Sequence, residues 1–170
     1  TQLWSTWDTF TFDPDVDYDG SGWTHVNGLT WDADDDAIYV SIRNLNCVVK
    51  LNTAGEVLWK LGGTESDFVV SGPRAFAHQH RLRPLPNGHV LIFDNGKNAV
   101  EGSRIVEFAL NEAEGTATEV WSYSPGLFAH SLGDAWRLPS GSTLVSWGTL
   151  GRFELIDEAG VSFWKMSADI

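Results

Sequence analysis

One cysteine in 170 residues leaves nothing to staple the fold. Cys47 alone can form no internal disulfide, and a cysteine-rich metal site is excluded with it. It sits in the apolar run NCVVKL, where a buried, inert thiol is expected. Long apolar runs are missing as well. No stretch approaches the roughly 20 residues of a membrane helix, and the first residues lack a basic-then-apolar leader pattern. Basic side chains are scarce, 11 against 23 acidic, for a net charge of −12. That balance argues against a nucleic-acid partner or an anionic membrane surface, because phosphate binding needs a basic face. A sustained helical period of 3.6 is absent too, which argues against an α-helical domain.

What the chain has in quantity is tryptophan, nine residues, and glycine, 17. Their positions describe a repeat. The segments starting at His25, His80 and Gly133 follow one order: a short strand, a turn (Asp32–Asp36, Pro86–Gly88, Pro139–Gly141), and an apolar strand (Ala37–Ile42, His89–Phe93, Ser142–Trp147). A third strand follows (Cys47–Leu51, Arg104–Leu110, Arg152–Ile156), then a turn and a strand carrying Trp59, Trp121 or Trp164. Four antiparallel strands recurring every roughly 40–50 residues are expected to be β-propeller blades, with each tryptophan wedged between neighbours. The all-β fold predicted is three blades over residues 23–63, 76–126 and 129–167. TQLWSTW matches EVLWKL and TEVWSY, so residues 2–8 are expected to be the orphan outer strand of a preceding blade.

Three wedges cannot close a ring, since propellers need about four or more. Open blade edges favour association. The expectation is a homodimer, or one part of a larger propeller.

The ordered set H-x-N at His25, S-x-R-N at Ser41, L-G-G at Leu61, Q-H at Gln79, L-P-N-G at Leu85 and D-N-G at Asp94 resembles the arylsulfotransferase family. SRIVEFAL, TATEVWSYS and LPSGSTLVSWG extend the likeness over nearly the whole chain. The resemblance implies half of a six-bladed propeller, and sulfuryl transfer from a phenolic sulfate ester to a phenol through a sulfated histidine. It implies no nucleotide donor, cofactor or metal, and a periplasmic or secreted location. The nucleophile maps to His80, with His25 and Arg43 as catalytic partners and Asn27 and Thr149 on the substrate. A further histidine of the family belongs to a blade outside this chain. The contrasting reading is a non-catalytic propeller module that binds through its open edges.

The residues suit this chemistry. A neutral imidazole can attack sulfur and leave again. His25 could protonate a departing phenolate, Asn27 could hydrogen-bond a sulfuryl oxygen, and Arg43 offers planar donors to an oxyanion. His78 shares a face with His80 if the segment is extended, so the pair fits either a metal clamp or a nucleophile with a supporting, substrate-contacting neighbour. Axial positions differ between repeats, His25, His80 and Gly133 in one register and Arg43, Asn95 and Gly148 in another, as expected for an asymmetric site on a symmetric scaffold. Asp13, Asp15, Asp17 and Asp19 alternate like a calcium loop but lack its glycine and final glutamate. His130, Ser131 and Asp134 suggest a hydrolase triad without the nucleophile-elbow motif.

Overall fold

The turns explain why the repeat folds as it does. In Leu85–His89, Leu85 N–H donates to His89 O at 2.8 Å and Gly88 N–H to Leu85 O at 2.9 Å. Leu138–Ser142 repeats this, with 2.8 and 2.9 Å. Proline presets the first turn residue, and the glycine supplies the positive φ that closes a three-residue hairpin loop (Gly88 at 79°, Gly141 at 85°). The L-P-x-G phrases are therefore one turn used twice.

The structure is a computed structural model that describes residues 2–14, 20 and 22–168. Its strands are β1 (Val26–Asp32), β2 (Ala37–Ile42), β3 (Cys47–Asn52), β4 (Val57–Gly62), β5 (Val69–Ser71), β6 (His80–Pro84), β7 (His89–Asp94), β8 (Arg104–Asn111), β9 (Thr116–Tyr123), β10 (Asp134–Arg137), β11 (Thr143–Ser146), β12 (Arg152–Ile156) and β13 (Ser162–Ser167). They form three antiparallel meanders, β1–β4, β6–β9 and β10–β13, which are the three blades expected. An addition comes from the connection between the first two blades. There β5 pairs in parallel with β9, so the middle sheet has five strands in the order β5-β9-β8-β7-β6.

Alternation along each strand sends side chains to opposite faces, and two of the three apolar clusters lie between blades. Ala37, Tyr39, Trp59 and Leu61 of blade 1 meet Leu82, Val90, Ile92, Val106 and Phe108 of blade 2. Leu91, Phe93 and Ile105 of blade 2 meet Ala135, Val145, Trp147 and Ile156 of blade 3. Trp59 is 5% exposed and its Nε1 donates to Glu112 Oε1 at 2.9 Å. Trp121 packs against the second cluster and donates to Glu158 O at 3.0 Å. Trp164, on the free face of blade 3, is 43% exposed. It stands in one cross-strand row with Leu144 and Leu155.

Residues 2–5 have no regular structure, and Thr6–Asp8 is one 3-10 turn capped by Ser5, so the outer strand expected over residues 2–8 joins no ladder here. Instead Trp4, Phe10 and Trp23 lie on the outward face of blade 1, over Val40, Ile42, Val49 and Leu51. The segment covers a face rather than extending a sheet.

Candidate functional site at the His80 end of the blades

His25 immediately precedes β1 and His80 opens β6, while Arg43 and Asn95 immediately follow β2 and β7. Antiparallel pairing brings these strand starts and strand ends to the same end of the blades. Arg43 N–H donates to His25 O at 3.0 Å. Among the described residues six non-glycine residues take positive φ, and five of them (His25, Asn46, His78, Arg81, Leu132) belong to this end; the sixth is Asp36. Such backbone is costly and gathers where the surroundings over-determine it.

Blades 1 and 2 are tied along their inner strands. Asn27 Nδ2 donates to Gln79 O at 2.8 Å, and Thr30 Oγ1 to Leu82 O at 2.8 Å. Both inner strands bulge here, β1 between Val26 and Gly28 and β6 between His80 and Leu82. Arg81 fits its bulge (φ 54°) only because Gly28 faces it; a Cβ on Gly28 would lie 3.1 Å from Arg81 N. Gln79 is fully buried, and its Nε2 donates to Ser41 Oγ, Ile42 O and Cys47 O at 3.1, 3.2 and 2.9 Å. In the Q-H pair, glutamine is the clamp to blade 1 and histidine faces the site.

His80 is 7% exposed. Its Nδ1 is 2.9 Å from Asn95 Oδ1, and Leu132 N–H donates to its Nε2 at 3.1 Å. Its pKa is lowered from the ordinary value of 6.5, first by burial. The bond to Asn95 and one to the His78 backbone oppose this, while His25 and Arg43 push electrostatically the same way as burial, so the neutral form of His80 is favoured.

A carboxylate under the site fixes the loops around it. Asp94, fully buried, accepts from Ala77 N–H at 2.9 Å and Gly96 N–H at 3.0 Å through Oδ1, and from Arg104 Nε at 2.8 Å through Oδ2. Arg104 also donates to Glu119 Oε2 at 2.9 Å and Arg74 O at 2.8 Å, so each of the three nitrogens of the buried guanidinium makes a bond. Ser103 Oγ donates to Asn95 O at 2.7 Å and accepts from Ala129 N–H at 2.8 Å.

The remaining sequence candidates are placed as follows. His78 is buried, but with φ 51° the segment is not extended there, so the shared-face premise fails; its N–H donates to Asn46 Oδ1 at 2.8 Å. Asn27 donates one Nδ2 hydrogen to Gln79 O, and its Oδ1 is buried without a hydrogen-bond partner. Arg43 donates to Asn44 Oδ1 at 2.6 Å. Thr149 lies in the 3-10 turn Gly148–Leu150, its Oγ1 3.4 Å from His130 Nδ1. Asp134 takes Arg83 through both oxygens, at 3.1 and 2.5 Å, and bonds no histidine, so His130, Ser131 and Asp134 do not assemble as a triad. Asp15, Asp17 and Asp19 lie outside the described residues. Among the described residues no group of three His, Cys, Asp or Glu side chains is placed to hold a metal, and no helix is long and apolar enough to cross a membrane.

The repeat places Asn95 at an axial position without giving it a role, and nothing in the sequence reasoning points to Asp94 or to the Leu132 N–H, since a backbone donor has no residue-type signal.

Over 139 residues the chain is 27% identical to the arylsulfate sulfotransferase AssT of Escherichia coli, covering 61% of this chain and 23% of that protein. It therefore spans about a quarter of the length of that relative. Virginiamycin B lyase from Staphylococcus aureus superposes with a TM-score of 0.55 at 17% identity, over 87% of this chain and 43% of that one. The beta-propeller domain of Cps50 (Swd1) from Myceliophteria thermophila gives 0.54 at 10% identity, over 86% and 42%. These two likenesses concern the fold alone. The model of the family described as Arylsulfotransferase (ASST) matches residues 3–167, and the chain belongs to that family.

Proposed function

We propose that this protein transfers a sulfuryl group from a phenolic sulfate ester to a phenol, with His80 as the group that carries it between the two. The observation that carries this reading is a buried imidazole kept neutral by burial, His25 and Arg43, with its Nδ1 tied to Asn95. A neutral imidazole is the nucleophilic form, and a desolvated one is the more reactive.

Nε2 releases its bond from Leu132 N–H and attacks sulfur with that lone pair, the S–N bond forms, and the S–O bond to the aromatic ring breaks. The phenolate leaves with the electron pair and takes a proton from His25 acting as general acid. The acceptor phenol reverses these steps and returns its proton to His25. Arg43 faces the sulfuryl oxygens with planar donors. Asn27 gives one Nδ2 hydrogen to Gln79 O and keeps a second N–H for a sulfuryl oxygen.

The test is to incubate the protein with a chromogenic aryl sulfate and a phenol, then search for a sulfuryl adduct by mass spectrometry. The adduct is expected on His80 and is expected to vanish in His80→Asn. An adduct that persists in that variant, or none in the wild type, overturns the proposal.

A further inference from the structure

The surroundings of Asn95 determine more than its position. It is fully buried, and its Nδ2 donates to Ala129 O at 2.6 Å and Leu132 O at 2.9 Å. Both partners are carbonyl oxygens, which only accept. Rotating the amide would set Oδ1 against two acceptors, so Nδ2 must face them and Oδ1 must face His80. An amide oxygen can only accept, and the ring nitrogen opposite it therefore carries the proton. Independently, Leu132 N–H points at Nε2, an arrangement that requires a bare lone pair there. Two separate bonds demand the same tautomer.

The strap that supplies Leu132 is held tightly. Leu132 has φ 60° and Gly133 φ 108°, and a Cβ on Gly133 would lie 2.4 Å from the Phe93 ring. A Cβ on Gly148 would lie 2.4 Å from Ser131 O. Asn95 thus binds the strap and the histidine with one side chain, from a loop that Asp94 and Ser103 hold in place.

We propose that Asn95 is a positioning residue that fixes His80 as the Nδ1–H tautomer, so that Nε2 is the nitrogen that bonds to sulfur. The inference rests on His80 being the nucleophile. When Nε2 bonds to sulfur, the ring keeps its Nδ1 proton and becomes a cation beside the anionic sulfuryl group. When the acceptor phenol attacks, the N–S bond breaks and its electron pair returns to Nε2. An amide acceptor orients the ring without adding negative charge. A carboxylate would stabilise the cation and make the ring a poorer leaving group.

The test uses the full chain labelled with 15N-histidine. The nitrogen shifts of His80 are expected to show a protonated Nδ1 and a bare Nε2 at neutral pH. Asn95→Ala removes the acceptor opposite Nδ1 and also frees Leu132 O, the hold that aims Leu132 N–H at Nε2, so the ring is expected to relax to a mixture rich in the Nε2–H form, with adduct formation slowed on the order of tenfold or more. A wild-type ring protonated on Nε2 overturns the inference even if no variant folds, and so does an Asn95→Ala protein with an unchanged tautomer. If the wild type shows the Nδ1–H form and yet forms no adduct, the transferase reading falls and the tautomer assignment stands. If the adduct forms on a ring that is Nε2–H at rest, the reading stands and this inference falls.

Discussion

Replacing Trp59 and Trp164 by alanine, one at a time, tests whether each tryptophan stabilises the chain through the blade beyond it. Burying roughly 200 Å² of indole at ~25 cal/mol per Å² gives about 5 kcal/mol as an upper limit. Allowing for a compact unfolded chain lowers this to ~4 kcal/mol. Trp59, 5% exposed, should realise nearly all of it. It also has Tyr39 and Phe68 at ring-centroid distances of 5.6 and 5.5 Å and a hydrogen bond to Glu112. Trp164 is 43% exposed, and scaling by buried share leaves ~2 kcal/mol. Urea unfolding followed by circular dichroism is the assay, because nine tryptophans confuse a fluorescence readout. With an m-value of roughly 2 kcal/mol/M, the two midpoints should differ by about 1 M, Trp59→Ala being the lower. Equal shifts, or a larger one for Trp164→Ala, would refute the reasoning that packing between blades is what these residues contribute.

Cys47 is 1% exposed and burial pushes its thiol up to about 12, so the native protein should resist a thiol reagent at pH 8 and react only once unfolded in urea. Labelling of the native chain at the rate of a free thiol would contradict that placement. Stability should also depend on pH through His80. Its folded pKa lies below the ordinary 6.5, so the unfolded chain binds the proton more tightly. Its contribution is whole above the ordinary value and is lost as pH falls through 6.5 toward the depressed folded value. Urea midpoints at pH 7.5 and 5.5 should therefore fall less with acid in His80→Gln than in the wild type, and an equal fall refutes the assignment.

The blades were legible because their signals are local. L-P-N-G and L-P-S-G close their own hairpins, and alternation in AIYVSIR or HVLIF assigns a face without reference to the rest of the chain. The parallel strand β5 was hidden because Val69–Ser71 has only three residues and its partner is chosen by the connection between blades. Residues 2–8 show where such signals stop: Trp4 and Trp7 match the outer-strand pattern, yet Thr6–Asp8 is a 3-10 turn and the segment joins no ladder here. At the site, His25, Arg43 and His80 were found because their side chains carry recognisable chemistry. Which amide group of Asn27 remains available, and what Asn95 does, depends on carbonyl oxygens 34 to 52 residues away along the chain. No spacing rule reaches that far.

The ion pairs behind Asp94 link the periphery of the second blade to its axis. Glu119 belongs to β9, two strands out from Asp94 at the end of β7, yet it grips Arg104, which grips Asp94, which holds the Ala77 amide just ahead of His80. A change at Glu119 would thus be felt as a displaced loop at the centre, with no substrate-facing atom altered. Position 119 belongs to the working apparatus of this blade, although a map of distances from His80 would leave it among the decoration.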